Sequence, residues 1–492
     1  MEYSNILYHN TAMKRHTLVF ALQLIYLISS AQQWITKNYL YDSIIDVKYG
    51  TAINFNGVND TLHMNIYTPK CSDAISRRPL MLIIHGGAFL AGTIYDPNII
   101  KMSRDFAKRG YVTAAIEYRL GFVSDDNAWT CNFPNYSCIF GTDSSEWHRS
   151  YFRAIQDGKG ALRYLINRNA QYRIDTNNVF VVGESAGGFI ALGIGFMDTI
   201  SEKPILANAI SSVPPPHISS QNCTYNVGKT FTTTTIARPD LGNIDGNIEP
   251  TTVKYKIMGV GNYYGATMGD YFKYTKAGSS APALYLYHQP CDLVVPYNTG
   301  RVQAGFSWCM ANCYSCFGIA NTPFVYGSNS IKNMITTNNY PITIYNDMTT
   351  NSNPNSCIFG TWSCSDQINN PCHEIDNYTL RTTNMATFFA SKISTTTICL
   401  PETINLIKEN TLKNDILISP NPFNERIIIT NTSNQNLKYN LIDVMGNNVS
   451  KGDLSEGINE LHFNNKIKSG IYFIQIYNNI YITSYKLACE EN

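Results

Sequence analysis

The sequence predicts an α/β domain, a mostly parallel sheet with helices on both faces, followed by a small all-β sandwich. Three observations carry this. From about Leu80 onward, continuous apolar runs alternate with stretches of helical spacing, and strands alternating with helices argue for a parallel sheet covered on both sides. Near residue 400 the composition changes. Beyond that point the runs are short, strand-like and separated by turn residues, with no long helix between them.

The elements follow in chain order. Lys14-Arg15-His16 is a basic start, Thr17 to Ile28 is apolar, and Ser29-Ser30-Ala31 supplies small residues before Gln32. That pattern predicts a signal peptide within residues 1–31, with Met13 as a candidate initiator. Leu80 to Ile84 and Tyr111 to Ile116 are apolar throughout, as buried parallel strands are. Ala154 to Asn167 has helical spacing; Val179 to Val182 is a strand, and a helix is expected from Ala186. Further strands are expected at Lys256 to Val260, Ala283 to Tyr287 and Ile342 to Tyr345, and Tyr378 to Ser391 is expected to be the closing helix. Thr395-Thr396-Thr397 and Pro401-Glu402-Thr403 have linker composition. The expected limits are therefore 32–400 for the α/β domain, 401–415 for the linker and 416–492 for the sandwich. Strands in the last part are expected at Ile416 to Ile418, Arg426 to Thr430, Lys438 to Asp443, Gly470 to Ile476 and Tyr481 to Lys486.

Bulk properties remove several classes of function. The 492 residues are 44% hydrophobic and 15% charged, a globular composition. A net charge of +1 and the lack of basic runs with interleaved aromatics argue against nucleic-acid binding. After the signal segment no run of 18 apolar residues remains, so no stable membrane span is expected. Thirteen cysteines fit an oxidising compartment. Cys309, Cys313 and Cys316 lack a second cluster at zinc-binding spacing. Neither a metal nor a cofactor is expected.

GESAGG, Gly183 to Gly188, directly follows the apolar run Val179 to Val182. Alone, G-x-S-x-G is a weak signal. It gains meaning if a base, an orienting carboxylate and oxyanion donors can be found for Ser185. With the chain order serine, acid, histidine, the nine histidines reduce quickly. His9 and His16 lie in or before the signal segment, and His63, His85 and His148 precede the serine. His217 precedes any well-placed acid, His288 ends a strand four residues before Asp292, and His462 falls in the sandwich. His373 remains as the candidate base. Asp292, just past the strand ALYLY, and Asp347, just past PITIY, compete as the acid, because reactive groups in open α/β sheets gather at the carboxyl ends of strands. His85-Gly86-Gly87-Ala88-Phe89 follows the first buried strand, where glycine allows close approach of the backbone. The N–H groups of Gly87 and Ala88, with that of Ala186, are the candidate oxyanion donors.

With HGGAF, Glu117-Tyr118-Arg119-Leu120-Gly121, Gln156-Asp157 and Arg173-Ile174-Asp175 ahead of GESAGG, the chain resembles an α/β-hydrolase of the carboxylesterase and hormone-sensitive-lipase type. The resemblance spans roughly residues 45 to 395. It implies hydrolysis of carboxylic esters through an acyl-enzyme on Ser185. Leu293-Val294-Val295-Pro296 resembles the loop after the acid in such enzymes and favours Asp292. Ala88 stands where the family usually has a third glycine, which puts a preference for bulky or tertiary esters in doubt. The separation of 81 positions from Asp292 to His373 is long for the family, and a cysteine-bearing insertion, Cys309 to Cys364, fills it. Cys291 precedes the acid and Cys372 precedes the base. If Asp292 and His373 meet, a Cys291–Cys372 bridge becomes possible, since a disulfide needs a Cα separation of about 5.5 Å. Some secreted feruloyl esterases and tannases are similar in tying reacting residues together through adjacent cysteines. Cys131–Cys138 and Cys357–Cys364 are expected local bridges.

The tail resembles the C-terminal sorting domain of the type IX secretion system, through Ser419-Pro420-Asn421-Pro422-Phe423, Tyr439 to Gly446, Ser469 to Phe473 and a final strand bearing Lys486. That implies export to the cell surface or beyond, with the secretion machinery as partner. Two other readings are open: a serine peptidase of the same fold, and an inactive hydrolase fold used for adhesion. HGGAF near the amino end weighs against the first and the full set of reacting residues against the second. Tyr263, Tyr264, Tyr285 and Tyr287 would suit feruloyl or other aryl esters if they line a pocket, and would be silent if they lie in the core.

Overall fold

The computed structural model describes residues 33–70, 77–122, 144–213, 235–275, 281–302, 322–350, 372–393, 415–433, 435–443, 448–463, 467–478 and 482–490. The expected signal peptide, most of the linker, Cys309 to Cys316 and the bridges Cys131–Cys138 and Cys357–Cys364 lie outside these residues. The chain divides into two compact units, Met1–Cys399 and Leu400–Asn492.

Among the described residues the main sheet of the first unit has eight strands: β1 (Tyr41–Ile53), β2 (Asn59–Pro69), β3 (Arg78–Ile84), β4 (Val112–Ile116), β5 (Ile174–Glu184), β6 (Ile257–Tyr263), β7 (Ala283–Tyr287) and β8 (Ile344–Asn346). Their order in the sheet is β1-β2-β4-β3-β5-β6-β7-β8. β2 runs antiparallel to both neighbours, and every other pairing is parallel. The main helices are α1 (Pro97–Lys108), α2 (Ser144–Asn167), α3 (Ala186–Phe196), α4 (Ser328–Thr337) and α5 (Tyr378–Ala390).

β3 explains the layering. Leu80, Leu82 and Ile84 pack with residues of α2 and α3, among them Phe152, Ile155 and Ile190. Met81 and Ile83 point the other way, to Ile99, Met102 and Phe106 of α1 and Met385 and Phe389 of α5. Successive side chains of a strand leave opposite faces, so a strand that is apolar throughout must be covered twice. β1 and β2 were not expected. Their pairing is irregular between Ile44 and Val47 and between Lys48 and Gly50, and Ile44 and Ile45 are both exposed; a bulge of this kind disrupts the two-residue alternation that betrays a strand. Tyr263, Tyr285 and Tyr287 are fully buried in the core.

The EYRLG and Gln156-Asp157 motifs meet in a buried ion pair. Arg119 Nη2 lies 2.7 Å from Asp157 Oδ1, and its remaining donors reach the Ile53 and Arg153 carbonyls. Asp157 also accepts from the Arg119 backbone N–H at 2.8 Å. The pair ties the loop after β4 to α2. Asp157→Ala leaves an unpaired buried guanidinium and is expected to cost about 3–5 kcal/mol of stability, read from the thermal or denaturant midpoint.

Among its described residues the second unit has seven strands: β9 (Ile416–Ser419), β10 (Arg426–Asn431), β11 (Leu437–Asp443), β12 (Asn448–Leu454), β13 (Gly457–His462), β14 (Gly470–Tyr477) and β15 (Ile482–Cys489). They form two antiparallel sheets, β9-β10-β13 and β12-β11-β14-β15. Ile427 and Ile429 of one sheet share a core with Leu441, Ile474 and Ile476 of the other. β12 and β13 escape the sequence reading because NVSKGDL and GINELH bury almost nothing and so lack the apolar signal.

Candidate active site

The chain leaves β5 at Glu184 and enters α3 at Ala186, so Ser185 alone makes the turn, with φ 53° and ψ −123°. Such a conformation costs an L-residue on the order of 1–3 kcal/mol and persists only where its surroundings enforce it. Here the Ser185 N–H donates to the Tyr263 carbonyl at 2.9 Å, while its own carbonyl accepts from Gly188 at 2.8 Å and Phe189 at 3.2 Å. A Cβ at Gly187 would stand 2.2 Å from the Ile84 carbonyl oxygen. Only glycine lets α3 start this close to β3, which accounts for the small residues around the serine.

His373 Nε2 lies 2.7 Å from Ser185 Oγ. On the other edge of the ring, His373 Nδ1 lies 2.7 Å from Asp292 Oδ2. A carboxylate at Nδ1 places the ring proton there and leaves Nε2 to accept from the serine hydroxyl. Asp292 sits just past β7, and its Oδ1 accepts from the N–H groups of Val294 at 2.8 Å and Val295 at 3.0 Å. Burial alone would raise the Asp292 carboxyl, but His373, with hydrogen bonds from His288 and His373, brings it below the usual carboxylate range. It therefore stays ionised through neutral pH. The competing Asp347 is engaged elsewhere: it binds Arg381 at 2.8 Å and accepts from Tyr285 and Asn384.

The segment that carries His373 is held to β7 by several bonds. Cys291 and Cys372 are joined in a disulfide, with Cα atoms 5.6 Å apart across 81 positions of sequence. Gln289 donates to the carbonyls of Cys372 and Glu374, and the Tyr287 hydroxyl also donates to Glu374. The Tyr264 ring meets His373 edge-on at 4.7 Å, and its hydroxyl donates to Glu184 at 2.9 Å. Burial raises the Glu184 carboxyl, an effect offset in part by Tyr264 and His373. Replacing both Cys291 and Cys372 by Ala is expected to cost about 4 kcal/mol, since the bridge closes a long loop. Turnover should fall roughly tenfold as the base loosens against the acid; thermal unfolding and kcat measure the two effects.

The HGGAF loop passes over the serine. A Cβ at Gly86 would lie 3.1 Å from Ser185 Cβ and 3.7 Å from Oγ. Gly87 (φ 106°), Ala88 (φ 52°) and Phe89 (φ 61°) all have left-handed backbones. Leu90 and Ala91 both donate to the Gly87 carbonyl, and Gly121 donates to that of Phe89. The Tyr118 hydroxyl anchors the carbonyls of His85 and Gly86. Among the described residues no backbone carbonyl accepts from the N–H groups of Gly87 or Ala88. Ala186 opens α3, where the first N–H groups lack partners within the helix.

The structure thus brings Ser185, His373 and Asp292 into one hydrogen-bonded line and sets the loop holding Gly87 and Ala88 beside it. Sequence reasoning passed over His288, which lies 3.1 Å from Asp292 Oδ2. The available signal was its position at the end of the same strand, four residues before the acid. All four tyrosines considered belong to one buried cluster, and Tyr264 also packs edge-on against His373. Among the described residues no cluster of three or more His, Cys, Asp or Glu could hold a metal ion, and no helix is long and apolar enough to cross a membrane.

Comparison with known proteins finds similarities to three segments of the chain. The Carboxylesterase family model matches residues 32–127, the BD-FAE model residues 144–299 and the Secretion system C-terminal sorting domain model residues 417–490. Liver carboxylesterase B-1 of Rattus norvegicus is 33% identical over 132 residues, which are 26% of this chain and 20% of that protein. Carboxylesterase 3 of Homo sapiens is 31% identical over 142 residues, 28% of this chain and 21% of that protein. The matched stretch thus spans about a fifth of the length of these curated relatives. Esterase B of Lactobacillus rhamnosis, solved with a tributyrin phosphonate inhibitor, aligns with a TM-score of 0.35 at 14% identity, covering 77% of this chain and 95% of that one.

Proposed function

We propose that this chain, an α/β-hydrolase domain with carboxylesterase-type segments joined to a secretion-system sorting domain, is an exported serine esterase acting on carboxylic esters. His373 takes the proton of Ser185 Oγ as the hydroxyl attacks the ester carbonyl. Charge then develops on the carbonyl oxygen, where the N–H groups of Gly87, Ala88 and Ala186 receive it; one such donor lowers the barrier by roughly 3 kcal/mol. The imidazolium returns its proton to the leaving alcohol. Water, with His373 again as base, hydrolyses the acyl-enzyme, and Asp292 holds the imidazole in the required tautomer throughout.

The single observation that supports this most is the unbroken line from Ser185 Oγ through His373 to Asp292, 2.7 Å at each step. Small acyl esters, acetyl and feruloyl among them and free or polysaccharide-linked, form the proposed substrate class. Because Tyr263, Tyr285 and Tyr287 lie in the core, the aryl preference has no support from them. Export would run from the signal peptide in residues 1–31 through the periplasm, with the tail at 416–492 read by the type IX machinery after the linker at 401–415. The test is release of p-nitrophenol from acetyl, butyryl and longer esters, and hydrolysis of methyl ferulate, by the wild type. No turnover of any ester would leave the inactive adhesion reading; turnover of peptide anilides alone would make it a peptidase.

A further inference from the structure

Beyond the three reacting groups, a second imidazole touches the acid. His288 is fully buried. Its Nε2 lies 3.1 Å from Asp292 Oδ2 and 3.1 Å from the Val295 carbonyl. Its Nδ1 lies 3.0 Å from Ser328 Oγ, at the start of α4.

The direction of these bonds follows from their neighbours. Gly265 N–H donates to Asn262 Oδ1 at 3.0 Å, which turns the Asn262 amide so that Nδ2 faces Ser328 Oγ at 3.1 Å. Ser328 accepts there, so its own proton is free to go to His288 Nδ1. Nε2 faces two acceptors and nothing else polar, so it carries the ring proton. The result is a one-way relay from β6 through α4 to the carboxylate: Asn262 to Ser328 to His288 to Asp292. Every polar atom in it is buried and paired, the condition under which such a network is rigid rather than costly.

We propose that His288 is a positioning residue for the proposed reaction, its Nε2–H pinning Asp292 so that the carboxylate keeps one lone pair aimed at His373. The proposal rests on reading Ser185, His373 and Asp292 as the reacting line. Oδ1 is already held by the Val294 and Val295 N–H groups. His288 supplies the corresponding hold on Oδ2, the oxygen that His373 uses. A carboxylate gripped on one oxygen only can swing about its Cβ–Cγ bond, and small misplacements of this kind are expensive in rate. The N–H also shares Oδ2 with His373. Its removal leaves more negative charge for the imidazolium, which stabilises the protonated base and carries the acidic limb of the rate profile to higher pH. The titratable groups facing His288 are Asp292, His373 beyond it, and Tyr297, whose ring meets the imidazole edge-on at 5.6 Å. Ser328 and Asn262, the contacts from α4 and β6, are uncharged.

The experiment compares kcat and KM for p-nitrophenyl acetate across pH in the full chain, for wild type, His288→Ala, His288→Gln, Ser328→Ala and Ser185→Ala. In His288→Ala, kcat should fall roughly ten- to hundredfold with KM within about twofold, and the acidic limb should move up. Gln, whose Nε2 can reach the same oxygen, should restore most of kcat and return the limb. A folded His288→Ala enzyme whose acidic limb stays at the wild-type pH overturns the proposal, whatever its kcat; so does a Gln variant no better than Ala. Should His288→Ala not be recovered folded, Ser328→Ala decides: a lower kcat with an upward limb supports the relay, and wild-type values overturn it. Ser185→Ala separates the two levels. If it keeps wild-type turnover, the underlying reading falls and this proposal with it. If it is inactive while His288→Ala behaves as wild type, only the role of His288 is lost.

Discussion

Ser185→Ala is expected to lower kcat for p-nitrophenyl acetate by roughly 10⁵-fold or more, about 7 kcal/mol of barrier, without changing the fold. The hydroxyl is the atom that would become acylated, and no other hydroxyl stands 2.7 Å from His373 Nε2 among the described residues. The substitution deletes one oxygen and keeps the Cβ. The turn at φ 53° is enforced by the Tyr263 carbonyl, by the N–H groups of Gly188 and Phe189, and by the close approach of Gly187 to β3, so alanine is held as serine is. Thermal unfolding should therefore match the wild type within error. Some residual rate over water is expected from the HGGAF donors alone. Equal kcat in variant and wild type would remove Ser185 from the reaction and with it the esterase reading.

Asp292→Asn is expected to cost about 10⁴-fold in kcat, nearly as much, by a different route. An amide in this place removes the charge that would stabilise the imidazolium. It also places an N–H₂ group either where Oδ2 faced the protonated His373 Nδ1 and His288 Nε2 or where Oδ1 faced the Val294 and Val295 N–H groups. With the oxygen toward the imidazoles, the NH₂ opposes the Val294 and Val295 N–H groups; with the NH₂ toward the imidazoles, both must change tautomer, and a His373 protonated on Nε2 cannot take the serine proton. Asp347→Asn is the matched control. It breaks the 2.8 Å pair with Arg381 and should lower stability by about 1–3 kcal/mol while leaving kcat near its wild-type value. The reverse pattern, with Asp347 sensitive and Asp292 silent, would exchange the two acids and discard the present assignment.

Much of the site was readable before any coordinates. Ser185 stood out because, directly after the apolar run Val179 to Val182, Gly183 precedes it and Gly187 and Gly188 follow it, a weak signal that gained weight from HGGAF, an acid and a base elsewhere in the chain. His373 emerged by elimination, since nine histidines are few. The choice between Asp292 and Asp347 was harder. Both follow strands of the sheet, and the partners each carboxylate finds, His373 for one and Arg381 for the other, tell them apart. The tyrosines illustrate the opposite limit: Tyr263 and Tyr264 are neighbours in sequence and share one buried cluster, yet Tyr264 also packs on His373.

The amino-acid order by itself determined the layered α/β domain and the β tail and singled out Ser185 and His373 as candidates, because burial periodicity and glycine placement are local properties of a chain. What needed the folded molecule was every relation between distant segments: the bulged edge strands, the bridge joining positions 81 apart, and His288 as a second imidazole on Asp292. Hydrogen bonds act over about 3 Å, so which donor meets which acceptor is settled only when packing has brought the strands' ends together.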